Sequence, residues 1–439
     1  MSTYHSDLLE RAVPRYTSYP TAAEFSDGIT AGQVGGALEA LDPAKPVSIY
    51  VHIPYCAEIC WYCGCNTGAA GRSSRLEAYL DALDAEIDLV AARLPSGVSF
   101  DRLSFGGGSP NAISPVQFIR LIDRLYTRLK MTAPIISVEL DPRGLDAAWG
   151  AALKGACVQR ASLGVQTFSD HVQRAIGRVQ PVAMIEHAVD LLRGAHIETL
   201  GFDLMYGLPG QSRADLEDTI ARAIALAPDR ASVFGYAHLP SLLPRQRRID
   251  GATLPSGEAR FAQAASAHMQ FRDAGFQAVG FDHFARPADP LAIAGRTGQL
   301  RRNFQGYTDD PCDTLIGLGA SAISKFPTLF AQNEKMAGRY RMLVSGGSLP
   351  ARRGVERSVQ SILRGNLIER FLCDGRVVVP GEMLAHIEAS IVPYQDRGLV
   401  SLDCGVLVLH ADGWPYARAV ASLFDAFRSV SHGTFSQAI

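Results

Sequence analysis

The sequence predicts an α/β fold built on a parallel sheet. Three observations carry that expectation. Short β-branched runs alternate, six times in succession, with segments whose apolar residues recur at helical spacing. Five of the six runs end in glycine, a carboxylate, an amide or cysteine, so polar chemistry collects at one end of the strands. A hydrophobic fraction of 47% over 439 residues suits a large core and is too high for a disordered chain. Strand-helix-strand crossovers within one sheet are right-handed, so the series implies either an open doubly wound sheet or a whole or partial barrel.

Taken in order, "SIYVHIP" (Ser48 to Pro54) is the first strand, and a helix is expected over Ser73 to Leu94. "FDRLSFGGG" leads to a helix from about Ser114, where a capping serine precedes a first-turn proline. "IISVELDPR" precedes "LDAAWGAALKGA", and "RASLGVQ" precedes "MIEHAVDLLRGA". "TLGFDLMYGLP" precedes "RADLEDTIARAIALA", and "RASVFGYAH" closes the series before "EARFAQAASAHMQFRDAG". The strand ends fall at Cys56, Gly106 to Ser109, Glu139 to Asp141, Gln166, Asp203 and Tyr236 to His238. Parallel sheets and barrels bind ligands at the carboxyl ends of their strands, so these residues are expected to share one pocket. From Arg286 the pattern becomes irregular, and "RRNFQGYTDD" and "LIGLGASAISKF" read as loop, strand and turn additions to the sheet. After about Met336 the composition changes. "GVERSVQSILRGNLIERFLCDGRV" reads as helix, and the rest as a short hairpin followed by a helix. Three regions are therefore expected: an N-terminal segment (1–44), the β/α region with its additions (45–335) and a mainly helical C-terminal domain (336–439).

With 42 basic and 44 acidic residues the formal charge is −2, which gives no electrostatic footprint for nucleic acid or an anionic membrane. The start lacks the basic and apolar regions of a secretory signal, and no run of about eighteen apolar residues suggests a membrane span. A cytoplasmic, soluble protein is expected. In a reducing compartment, clustered thiols serve as metal or redox ligands more often than as disulfides.

Four of the eight cysteines crowd into "YVHIPYCAEICWYCGCNTG": Cys56, Cys60, Cys63 and Cys65, spaced C-x3-C-x2-C-x-C directly after the first strand. A structural zinc site would more often use paired C-x2-C knuckles far apart in sequence, and a ferredoxin-type carrier uses other spacings on a smaller fold. Three thiolates on a [4Fe-4S] cluster would leave one iron open to an external ligand. An open iron in an enzyme-sized α/β fold implies chemistry.

C-x3-C-x2-C after the first strand resembles the signature of the radical S-adenosylmethionine (SAM) superfamily, and "GGGSP" resembles its glycine-rich segment. Cys65, "PRYTSYPTA", "YGLPGQ", "YAHLP", "DHFARP", "NFQGYTD", "GLGASAIS" and the terminal "FSQAI" are similar to the oxygen-independent coproporphyrinogen III oxidase family within it. That resemblance implies a partial (β/α)6 TIM-like barrel whose active site is covered by the N-terminal segment. It implies Cys56, Cys60 and Cys63 as cluster ligands, with Tyr50 and Cys65 at the catalytic centre. It also implies two SAM molecules, one meeting Tyr50, Gly107, Glu139 and Ile323. The second would meet Tyr62, Gly108, Ser109, Gln166, Arg178, Asp203 and Ala237. Physical sense agrees: glycines let a ligand approach the backbone, carboxylates accept from ribose hydroxyls, and Arg178 can fork onto a carboxylate.

The activity implied is anaerobic conversion of two propionates of coproporphyrinogen III to vinyl groups by a 5′-deoxyadenosyl radical, giving protoporphyrinogen IX in haem biosynthesis. A monomer using a donor such as flavodoxin or ferredoxin is expected. Arg15, Tyr16, Tyr19 and Arg286, with Arg301 and Arg302, are the cations and rings read as substrate cover and clamp. A haem chaperone of the superfamily usually lacks Cys65 and "PRYTSYP", both present here; a haem-directed radical SAM methyltransferase is the harder alternative.

Overall fold

The computed structural model describes residues 2–71, 73–428, 435 and 438, so most of "FSQAI" lies outside the described residues. Its centre is the expected series of parallel strands: Val47–Ile53, Phe100–Gly107, Ile135–Leu140, Arg160–Gln166, Thr199–Tyr206 and Arg230–Gly235. Each pairs with its sequence neighbour, in chain order, as crossovers of one hand require. Leu103, Phe105, Ile136, Leu163, Phe202 and Leu204 are fully buried beneath the crossover helices. Those helices start where the sequence supplies caps. Ser114 and Gln117 form a reciprocal box at Pro115–Leu129, Asp146 caps Ala147–Gly155, and Ser212 with Asp215 caps Arg213–Ala225. The helix after the first strand runs Ser73–Ala91, one turn shorter than expected.

The sheet continues past both ends of the parallel set. Thr314–Leu318 lies parallel to the first strand, and Ile323–Lys325, Leu329–Asn333, Ala351–Glu356 and Ser26–Asp27 follow antiparallel. Beyond the sixth strand, His283–Ala285 and then Gln277–Val279 are added antiparallel. The thirteen-stranded sheet stays open, so the barrel is partial. The composition change near Met336 does not mark its edge: Ala351–Glu356 still pairs with Leu329–Asn333, because a polar strand at the rim carries little hydrophobic signal. The single helix read over "GVERSVQSILRGNLIERFLCDGRV" is therefore a strand end, the helix Val359–Asp374 and the short strand Arg376–Val378. That last strand joins the expected hairpin, Val400–Asp403 and Val406–Leu409, in a small sheet beside an unforeseen helix, Gly381–Gln395.

One end of the barrel is shut. Arg160, Arg102 and Arg230, from the amino ends of three strands, donate to Asp309 at 2.7, 3.2 and 3.4 Å. Burial alone would raise the Asp309 pKa, but the Arg160 bond and the three positive charges hold it at about 2. Chemistry is left to the carboxyl ends. No helix among the described residues is long and apolar enough to cross a membrane.

Candidate active site

At the carboxyl ends of the strands lies a pocket of about 550 Å³. Its floor begins with the cysteine loop, which leaves the first strand as Tyr55–Cys56 and returns as Gly68–Ala69, the two pieces pairing in parallel. The loop is tied down elsewhere by backbone bonds: Trp61 N–H to the Ile176 carbonyl at 3.0 Å, Gln246 to the Tyr62 carbonyl at 2.8 Å, and Arg245 to the Thr67 carbonyl at 3.0 Å.

All four thiols are free and line this pocket. Three of the sulfurs receive a donor. Thr67 Oγ1 donates to Cys56 Sγ at 3.3 Å, and the Cys65 amide donates to Cys63 Sγ at 3.3 Å. Arg178 and Arg143 donate to Cys60 Sγ at 3.3 and 3.4 Å. Hydrogen bonding from Cys65 pulls the Cys63 thiol down to about 6, whereas burial raises Cys56. Arg245 Nη1 is buried without a partner on the wall of the same pocket. A donor to each of three sulfurs and an unpartnered guanidinium nitrogen fit a negatively charged iron-sulfur cluster on Cys56, Cys60 and Cys63. Among the described residues no three His, Cys, Asp or Glu groups converge on one point as a single ion requires. A cluster makes a different demand, one thiolate for each of three irons.

Behind Cys60 stands an ion cluster that sequence reading missed. Asp141 accepts from Arg143 at 2.6 Å and from Arg178 at 3.1 Å. Burial works against its charge, but the Arg143 bonds and the Arg178 charge outweigh it and keep the carboxyl below its ordinary range. Arg178 is itself buried, with its other donors on the Gly164 carbonyl at 2.7 Å and Gln180 at 3.0 Å. Four of its five N–H groups are thus taken by protein atoms. One N–H group is left for a ligand in the pocket, which Arg178 lines.

Across the pocket, Gly107 and Gly108 close the second strand. Gly107 has φ +116°, and a Cβ there would meet the His52 ring at 2.7 Å; one on Gly108 would meet the Tyr55 carbonyl at 2.5 Å. Only glycine lets the backbone line the cavity here. Ser109 turns its hydroxyl to Asn111, which in turn accepts from the Asp141 amide at 3.0 Å. Glu139 accepts from the Gly107 amide at 3.4 Å and from Gln305 at 3.1 Å. Burial, with Asp203 nearby, raises its pKa to about 7. Asp203, also raised by burial, accepts from Ser162 at 2.8 Å. Gln166 is carried into the wall by a register shift at the end of the fourth strand, where its φ is +66°. Tyr62 and Ala237 complete the wall, and the Ala237 carbonyl accepts from Gln246 at 3.0 Å.

The structure thus brings together the four cysteines, Tyr62, Gly107, Gly108, Ser109, Glu139, Gln166, Arg178, Asp203, Ala237 and Arg15 in one pocket. Tyr50 and Ile323 line a smaller adjoining pocket of about 160 Å³, where the Tyr50 hydroxyl lies 3.1 Å from His52 Nδ1. Burial lowers the His52 pKa to about 4, so that ring is neutral. The substrate residues fare differently. Arg15 reaches the mouth, donating to the Gly235 carbonyl at 2.7 Å. Tyr16 and Tyr19 turn away and are buried, the former donating to Asp425 at 2.9 Å, the latter accepting from the Ala426 amide at 3.0 Å. Arg302 is buried beneath them, donating to the Arg15 and Tyr16 carbonyls, and Arg301 bridges Asp313 and Glu369. Arg286 is at the wrong end. Its amide bonds Asp229, just before the sixth strand, and its guanidinium lies 4.0 Å over Phe276. Gln305, in "NFQGYTD", and Arg143, in "DPR", were within reach of a reading that asked which polar groups flank the strand ends.

The profile of the radical SAM superfamily matches residues 50–223, which contain the cysteine loop and the glycines. The oxygen-independent coproporphyrinogen III oxidase of Cereibacter sphaeroides is 40% identical over 98% of this chain and 97% of its own length. That of Bradyrhizobium diazoefficiens is 39% identical over 98% of each. Among solved structures, the coproporphyrinogen III oxidase of Escherichia coli, described as a radical SAM enzyme, superposes with a TM-score of 0.89 at 33% identity, covering 95% of this chain and all of that one.

Proposed function

We propose, for a chain that belongs to the oxygen-independent coproporphyrinogen III oxidases of the radical SAM superfamily, that its pocket converts coproporphyrinogen III to protoporphyrinogen IX by oxidative decarboxylation of two propionates. One observation carries the reading. Three thiols, each with a hydrogen-bond donor, share a cavity with a glycine-lined wall and two carboxyls of raised pKa. When bound, the [4Fe-4S] cluster and SAM would supply a 5′-deoxyadenosyl radical that takes hydrogen from the propionate β-carbon; carbon dioxide then leaves to give the vinyl group, and the electron left over passes to a one-electron acceptor.

The chain's own residues bind, orient and shelter. Cys56, Cys60 and Cys63 hold the cluster, with Arg143, Arg178 and Thr67 aiming and polarising the sulfurs. Gly107 gives a ligand access to backbone, while Glu139 accepts from a ribose of SAM. Tyr50 and Ile323 support that SAM from the adjoining pocket. Gly108, Ser109, Tyr62, Gln166, Asp203 and Ala237 are assigned to a second SAM, with Arg178 behind them. Arg15, lying 5.8 Å over the Phe234 ring, covers the mouth and excludes water. Cys65 serves Cys63 through its amide, and its exposed thiol is placed at the reacting end of the site. We place the enzyme in the cytoplasm as a monomer that takes electrons from a flavodoxin or ferredoxin, since free clustered thiols suit a reducing compartment.

The test is anaerobic. Reconstituted, reduced protein is incubated with SAM and coproporphyrinogen III, and protoporphyrinogen IX, carbon dioxide and methionine are measured. Two carbon dioxides released per protoporphyrinogen are expected. SAM cleavage with coproporphyrinogen III left intact would refute the substrate.

A further inference from the structure

The outer face of the cysteine loop carries charges that the reaction as described does not use. Trp61 follows Cys60 directly and precedes Cys63 by two residues, so its Cα lies about 3.8 Å from that of a proposed cluster ligand. Its ring is only half-buried. A Cβ on Gly177 would meet that ring at 2.7 Å, and the Arg248 guanidinium lies 5.5 Å over it. Val179, next to the Arg178 that donates to Cys60, is 54% exposed. Arg247, beside Arg248, donates to the Pro240 carbonyl at 3.2 Å, which ties to this face the turn that carries Leu242, 58% exposed. Trp61, Val179 and Leu242 thus give an apolar centre, and arginines edge it.

Those arginines are not offset. Arg174, whose carbonyl accepts from the Gly177 amide, is exposed, as are Arg247 and Arg248, and none of the three has an ion pair with a described residue. On the outer helices, by contrast, exposed arginines are paired: Arg120 with Asp84, Arg213 with Glu217 and Arg222 with Asp218, at 2.8, 2.7 and 2.8 Å. The carboxylates on the stretches that build this face are Glu58, Asp170 and Asp250. Glu58 is bonded to Arg143 at 2.8 Å, which leaves Asp170 and Asp250 against Arg174, Arg245, Arg247 and Arg248. The short helical turn Pro244–Arg248 has two sides. Gln246 is buried and, with Leu243 and Arg245, lines the main pocket, whereas Arg247 and Arg248 are exposed. A partner on the outer side reaches the cysteine loop without entering the pocket.

The proposed reaction needs such a partner. Each SAM cleavage consumes one electron, and a carrier must replace it by a transfer that makes and breaks no bond: the carrier is oxidised by one electron and the cluster reduced by one. Electron transfer weakens steeply with distance, so the carrier has to dock beside the ligand loop. The whole chain carries a formal charge of −2, so attraction of an acidic carrier has to come from a local patch. Tryptophan and arginine are also the residue types that interfaces favour.

We propose that Trp61, Val179 and Leu242, rimmed by Arg174, Arg247 and Arg248, dock a flavodoxin-type carrier, a small acidic protein whose flavin presents an apolar edge at its surface. This rests on the reading of Cys56, Cys60 and Cys63 as ligands of a cluster that a protein carrier reduces.

The test uses cluster-loaded full-length protein and a bacterial flavodoxin, with binding of the oxidised carrier read by calorimetry at rising ionic strength. Wild type should bind, and its affinity should fall as salt is added. Arg174→Glu, and separately Arg247→Glu with Arg248→Glu, should each weaken binding about tenfold, flatten its salt dependence and slow bleaching of the cluster by reduced flavodoxin to a similar degree. Iron content, SAM binding and protoporphyrinogen formation driven by dithionite should not change. Arg222→Glu, the same charge reversal on an outer helix, should alter none of these readings. If wild type failed to bind flavodoxin, or the rim variants bound it with wild-type affinity and salt dependence, the docking face would be wrong, and dithionite-driven conversion would still stand. A wild type that stayed inactive with dithionite, SAM and coproporphyrinogen III would overturn the functional reading instead.

Discussion

Glu139→Gln separates charge from shape at the wall that is proposed to hold SAM. The side chain keeps its length and one acceptor oxygen, so the pocket outline survives and the Gly107 amide keeps its partner, while Gln305 turns its own amide oxygen toward the new amide. What is lost is a carboxyl whose pKa burial has raised from 4.5 to about 7. A ribose hydroxyl donates better to the carboxylate than to the acid, so binding should lower that pKa, release a proton near neutrality and strengthen as pH rises through about 7. At pH 6 only about a tenth of the sites are ionised, and at pH 8 about nine-tenths. The difference between a charge-assisted and a neutral hydrogen bond is about 1 to 1.5 kcal/mol, roughly tenfold in affinity. Calorimetry of SAM on anaerobically reconstituted protein should therefore show wild type binding about tenfold more tightly than the variant at pH 8 and within about threefold of it at pH 6. Iron content should be equal. A variant with the same affinity and pH slope as wild type would refute the contact, and loss of iron in step with affinity would show that Glu139 serves the fold.

Three further outcomes are expected. Alanine at Cys56, Cys60 or Cys63 should take iron from about four per chain to well under one after reconstitution, measured by iron assay and visible absorbance, whereas Cys65→Ala should keep the cluster. Arg15→Ala should leave iron and substrate-free SAM cleavage unchanged and slow protoporphyrinogen formation about tenfold, because the mouth loses its cover while the fold keeps Tyr16, Tyr19 and Arg302 in place. Glu86, buried and bonded to Tyr340, Asn333 and the Gly319 amide, has its pKa raised by burial to about 7. The folded chain thus holds a proton that the unfolded chain loses above about 4.5, so its contribution is complete below that pH and declines as pH rises through 7. Urea midpoints from pH 5 to 8 should fall in wild type and fall less steeply in Glu86→Gln.

The parts of this molecule that could be read from its sequence share one property: their partners are near in the chain. Cysteine spacing, a capping serine before a proline and β/α alternation are all local, and they placed the six strands and the cluster loop. The clamp on Cys60 is not local. Arg143 and Arg178 meet Cys60 across three strand ends with Asp141 between them; the polar residues of "DPR" and "IGRVQ" are visible in the sequence, but their convergence is not. The same limit explains Arg286: its residue type in "DHFARP" suggests a clamp, but the sequence does not say which end of the sheet it reaches. It also explains the N-terminal segment. "PRYTSYP" suggests one cover, but its residues divide between two surfaces: Arg15 faces the mouth, while Tyr16 and Tyr19 bond to residues 425 and 426. Arg302 then ties both halves of that division to the hairpin. Because Arg15 depends on these buried contacts for its place, the proposed cover is held from beneath by Asp425 and Ala426, and a change at Asp425 should loosen the mouth without touching any residue in it.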